Sequence, residues 1–204
     1  AEEFAELKQQ LADNMAVPQE VLNHFKTYPI EKVHPMTALR TAVSMLGLYD
    51  EKAEDMSVEA NYLKAIQLQA KMSTLVTAFA RVRKGQEPIA PKSDLSYAAN
   101  FLYMLSGEIP EAIEEEAFNK ALVLHADHEL NASTFTARVC VATLSDVYSG
   151  VVAALGALKG PLHGGANEQV MKMLTEIGSV ENVDIYINEK LANKEKIMGF
   201  GHRV

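Results

Sequence analysis

The chain has 204 residues, 48% of them hydrophobic and 23% charged, the proportions of a packed globular protein, which exclude a disordered, collagen-like or supercharged chain. Its length suits one ordinary domain or a piece of a larger protein. With 27 acidic against 19 basic side chains the net charge is −8, which argues against a nucleic-acid surface, because phosphate neutralisation needs clustered Lys and Arg.

The pattern predicts a succession of helices punctuated by Pro and Gly, with no alternating run that would make a strand. Phe4, Leu7 and Leu11 mark a first helix that starts without a cap. Pro18 opens a second, carrying Val21, Leu22 and Phe25. Pro35 opens a third with Leu39, Ala42, Val43 and Leu46, expected to end at Gly47. Proline at the first helical position costs nothing, since its missing N–H would have no partner there.

Ser57 is placed to cap a helix running to Arg83 and stopping at Gly85. Val58, Tyr62, Ala65, Leu68, Met72, Leu75, Phe79 and Val82 form one stripe along it, and at 1.5 Å per residue it spans about 40 Å. A second apolar set, Leu63, Ile66, Ala70, Val76 and Ala80, leaves little polar surface, so the helix is read as a contact between subunits; a long core helix is the plainer alternative. Asp94 to Leu105 predicts the next helix, ended by Gly107. Pro110 begins another whose Glu111, Glu114, Glu115 and Glu116 sit near its positive end, where the dipole favours carboxylates. From Leu130 to Leu158 only Arg138 and Asp146 are ionised, which predicts one or two buried helices. Gly164 to Ile177 and Val183 to Lys190 complete the set. The single cysteine, Cys140, has no internal partner for a disulfide and is read as a buried thiol in a reducing compartment. The most apolar stretch, Val147 to Leu158, is shorter than the roughly 20 residues of a membrane span. A cytoplasmic address is the expectation.

Histidine is the side chain best suited to proton transfer near neutrality, and four of the six fall in the last 80 residues: His125, His128, His163 and His202. His125 and His128 are three apart, so a zinc site is one reading. The spacing disfavours it, because helical metalloprotease motifs place two His four apart around a Glu. A metal-dependent hydrolase using His125, His128 and His163 stays open as an alternative. His163 stands in Gly160-Pro161-Leu162-His163-Gly164-Gly165, between a turn and a glycine pair that opens a helix. Such glycines let a ligand approach the backbone. An imidazole at a helix N-terminus can donate to a carbonyl oxygen that is acquiring negative charge; a histidine filling a turn is the plain alternative. The end of the chain, Gly199-Phe200-Gly201-His202, repeats the device. No phosphate-binding Gly-x-x-x-x-Gly-Lys-Ser/Thr occurs.

In this order HADHELNAST, GPLHGGANE and MGFGHRV, with the upstream HPMTALRTAVSMLG, resemble the citrate synthase family, over essentially the whole chain. The resemblance implies an all-α fold, a large helical domain meeting a smaller one across a cleft, and a homodimer packed helix on helix, here through helices that include 57–84. It implies condensation of acetyl-CoA with oxaloacetate, with acetyl-CoA a substrate and no cofactor or metal. His163 matches the histidine that hydrogen-bonds the thioester carbonyl, and His202 the one that binds and protonates the oxaloacetate carbonyl. His128 matches an oxaloacetate-binding residue, with Asn131 beside it, and Ser133 is assigned to orient His163. His125 takes no catalytic role and is read as packing. In the family an aspartate well downstream of Gly-x-Gly-His removes the methyl proton and arginines hold the carboxylates. Neither lies within residues 1–204, so the expectation is an internal portion, chiefly large domain, inactive alone, with an N-terminal segment and most of the small domain lying outside it. The rivals are 2-methylcitrate synthase, which takes propionyl-CoA, and a non-enzymatic helical interaction module built on the 57–83 stripe.

Overall fold

A computed structural model describes residues 2–126 and 129–201. The described residues form ten α-helices and two short 3₁₀ turns, with no strand. None of these helices is long and apolar enough to cross a membrane. The chain divides into two compact units, Ala1–Gly156 and Ala157–Val204.

In the first unit α1 (Glu2–Asp13), α2 (Gln19–His24), α3 (Pro35–Leu48) and α5 (Tyr97–Ser106) pack on α4 (Val58–Arg83). Local chemistry sets their starts. Pro35 is the first residue of α3, and the Met36 N–H donates to His34 Nδ1 at 3.2 Å, so His34 is a cap. Ser57 caps α4 by accepting from the Ala60 N–H at 3.3 Å. Ser96 does the same for α5 through Ala99 at 3.1 Å, so this helix opens at Tyr97 and not at Asp94. α6 (Ala112–His125) begins two residues after Pro110, where the Glu111 N–H donates back to Glu114 Oε2 at 2.8 Å. Each such cap satisfies a donor that the helix leaves over, for about 1 kcal/mol.

The core gathers Met15, Ala70 and Met104, with Leu11, Ile89, Tyr97 and Tyr103 around them, and Phe25 meets Phe79 edge to face at 5.5 Å. Lys64 is buried in α4, its ammonium donating to the Ala53 and Asp55 carbonyls at 2.9 and 2.6 Å, which closes the α3–α4 loop. The stripe foreseen along α4 splits in two. Leu68, Leu75 and Phe79 are consumed by the chain's own core, whereas Val58 is 80% and Tyr62 60% exposed.

Three further expectations change. α3 runs through Gly47, whose missing Cβ would stand 3.3 Å from Tyr148 Cγ; this glycine makes room for a ring and does not stop a helix. α7 (Ala132–Val141) has no buried residue, with Phe135 58% exposed and Cys140 half-buried. Composition reports that a face is apolar but not what covers it. His125 is exposed, its Nδ1 donating to the Ala121 carbonyl at 2.7 Å, so it turns back on its own helix and does not pack in the core.

α8 (Val147–Leu158) is held at its start. Asp146 accepts from the Ser149 N–H at 2.9 Å and hydroxyl at 2.6 Å. Burial raises its carboxyl pKa, but the hydrogen bonds it accepts outweigh that and hold it low. Gly150 has no room for a side chain, since a Cβ would lie 2.7 Å from Val141 Cγ1. The buried Tyr148 donates to Asp50 Oδ2 at 2.8 Å. Burial, then the Asp50 carboxylate, pushes the Tyr148 phenol well above its ordinary value. The sign follows: Tyr148 contributes stability that is complete below pH 10 and lost as pH climbs above it, because the unfolded phenol ionises there and the folded one resists. Tyr148→Phe is expected to lower stability by about 1.5–3 kcal/mol, the worth of a hydrogen bond to a charged group, and to flatten this alkaline slope in urea unfolding; equal slopes in both proteins would contradict the assignment.

Candidate active site

The second unit carries α9 (Gly165–Ile177) and α10 (Val183–Ala192). His163 sits half-buried in the turn before α9. Its N–H donates to the Gly160 carbonyl at 3.0 Å, and its own carbonyl accepts from the Ala166 N–H at 3.2 Å. The backbone is therefore tied on both sides of this residue, and the imidazole stands within a turn of the positive end of a helix.

The two glycines after it differ. Gly164 has ordinary helical angles, φ −65° and ψ −18°, but a Cβ there would lie 2.6 Å from the Leu158 carbonyl oxygen. At Gly165 a Cβ would meet nothing nearer than the Gly160 oxygen at 3.4 Å, an ordinary contact. Space, not backbone angle, sets Gly164 apart from Gly165.

Gly199 and Gly201 have φ of +88° and +80°, in the region that favours glycine. A Cβ on Gly199 would stand 3.2 Å from Val170 Cγ2. The strand of chain leading to the last histidine thus lies against α9. Val170 is five residues into that helix, about 7.5 Å along it. His202, three residues after Gly199, lies outside the described residues, as does His128.

Asn131 and Ser133 belong to the first unit. Asn131 caps α7, its Oδ1 accepting from the Thr134 N–H at 2.9 Å, a structural task the motif did not announce. Ser133 is half-buried in the first turn of α7. Among the described residues no three His, Cys, Asp or Glu side chains gather as a metal would need. Sequence reasoning missed Leu158 and Val170, whose parts depend on contacts with glycines six and 29 residues away.

An all-helical chain with a histidine turn and a glycine loop on one helix is the class of protein these elements define. A family profile described as "Citrate synthase, C-terminal domain" matches residues 1–204, and the chain belongs to the citrate synthase family. "Citrate synthase 2" of Bacillus subtilis is 71% identical over 202 residues, covering 99% of this chain and 54% of the relative. "2-Methylcitrate synthase" of Mycobacterium tuberculosis is 51% identical over 174 residues, covering 85% of this chain and 44% of that protein. Citrate synthase from Pyrobaculum aerophilum superposes with a TM-score of 0.87 at 39% identity, covering all of this chain and 53% of the other. A Thermoplasma acidophilum citrate synthase, solved in ternary complex with carboxymethyl coenzyme A and oxaloacetate, gives 0.87 at 34% identity, again over all of this chain and 53% of the other. The chain spans about half the length of the relatives it matches.

Proposed function

We propose that these residues form the His163-bearing half of a citrate synthase, an acyltransferase that joins acetyl-CoA to oxaloacetate and, with water, releases citrate and CoA. The observation that carries the reading is the contact of Gly199 with Val170, which brings the approach to His202 onto the helix that begins beside His163. His163 donates to the thioester oxygen as the methyl carbon loses its proton. The enol carbon attacks the oxaloacetate ketone, whose oxygen takes a proton from His202, and water then splits the thioester. His128 and Asn131 bind oxaloacetate; Ser133 orients His163. A thioester α-proton is too weakly acidic to leave unless charge on the oxygen is met by a fixed donor in a dry site. The base and the arginines that clamp carboxylates are assigned to the other half, so the 204 residues by themselves are read as insufficient for turnover, and as chiefly large domain. Release of free CoA by the purified 204-residue chain would refute that.

The relative that acts as a 2-methylcitrate synthase makes propionyl-CoA the second reading. One methylene in an apolar pocket is worth about 1–3 kcal/mol, a factor of 10–200 in kcat/KM. Acetyl-CoA is expected to be favoured by about that factor in the whole enzyme, measured by release of the CoA thiol; parity, or preference for propionyl-CoA, would transfer the assignment.

The enzyme is read as a cytoplasmic homodimer, a placement that cell fractionation checks. Exposed Leu48 and Tyr49 at the end of α3 and Val58, Tyr62 and Leu63 on α4 support a subunit contact there, since apolar patches rimmed by polar residues mark association surfaces. Tyr62→Asp is expected to halve the mass seen by light scattering; an unchanged dimer would move the contact elsewhere.

A further inference from the structure

We infer that Gly164 is a positioning residue for His163, acting through the carbonyl at the end of α8. The inference rests on the reading of His163 as the group that polarises the thioester. Leu158 is the last residue of α8 and Gly165 the first of α9, both close to the turn that holds His163. At Gly164 this turn leaves no room for a side chain beside Leu158; an added Cβ would lie 2.6 Å from the carbonyl oxygen, 2.6 Å from Cδ1 and 2.9 Å from Cγ. A flexible side-chain tip can swing aside, but a helix-terminal carbonyl cannot do so without moving the backbone. To reach even tight contact, between 3.0 and 3.4 Å, the gap must open by roughly 0.4–0.8 Å. The φ and ψ of Gly164 suit any residue, so the cost of alanine falls on distance alone, in the residue next to the imidazole. A displacement approaching 1 Å in a reacting group costs about 10²-fold in rate.

Gly165 supplies the contrast. It is one residue further on, opens the same helix and has ordinary room for a Cβ. In the whole enzyme Gly164→Ala is expected to lower kcat by about 10²-fold with KM for oxaloacetate held, whereas Gly165→Ala costs little. The His163 ring resonance in NMR should shift in the first variant and stay in the second, a test of seating that does not depend on which reaction the enzyme performs. Equal losses in both variants would mean that the glycines serve ligand access instead. Wild-type kcat in Gly164→Ala with an unmoved His163 signal, or loss of the fold in that variant, would also overturn the inference. Absence of condensation in the unsubstituted enzyme would overturn the proposed function and leave the ring resonance to decide this one.

Discussion

His163→Ala in the whole enzyme is expected to lower kcat for condensation by about 10²–10³-fold, the cost of removing one donor aimed at a developing oxyanion, while KM for oxaloacetate changes little. The split follows from where the interaction is made. Ground-state acetyl-CoA carries little charge on its thioester oxygen, so a donor there contributes mainly after the methyl proton begins to leave, and a contact made only in the transition state appears in kcat. The turn suits the proposed task. His163 is tied through its own N–H to Gly160 and through its carbonyl to Ala166, so the backbone that carries the imidazole is fixed on both sides. A thiol-release assay across both substrate concentrations separates the two constants. Loss confined to the KM for oxaloacetate would reassign His163 to substrate binding, and a kcat within tenfold of wild type would remove it from the chemistry.

What the sequence makes legible divides by range. Helix starts at Pro35 and Ser57 are legible because the cap and the donor it satisfies lie within three residues of each other. The turn that holds His163 is legible for the same reason, and an all-α chain follows from the periodicity. Gly47 was misread as a stop because a glycine has one letter for two uses; its neighbour in space, Tyr148, is 101 residues away in sequence. α7 was expected to be buried because apolar composition does not reveal which chain or segment lies on top of it. Asn131 carries a second task that the motif does not announce: its position before α7 gives it a cap to make. Gly164 and Gly165 look alike in the sequence, and only the path of the backbone past Leu158 separates them.

His202→Ala is expected to cost about 10²–10⁴-fold in kcat, the range of general acid–base catalysis by a placed side chain, and to raise KM for oxaloacetate as well, because the same imidazole is assigned both to hold the ketone and to protonate its oxygen. That double effect distinguishes it from His163→Ala. In the proposed reaction the two residues act together: the carbon polarised through His163 has nothing to attack unless the ketone is polarised by its own donor. Their losses should therefore not multiply. The His163→Ala, His202→Ala double variant is expected to fall only modestly below the worse single variant, as groups that work as a unit do. The close approach of Gly199 to Val170 agrees with that pairing, because it sets a residue three positions before His202 in the sequence against the helix that His163 precedes. Multiplying losses would place the histidines in separate steps, and normal kcat in His202→Ala would end its assignment as the acid.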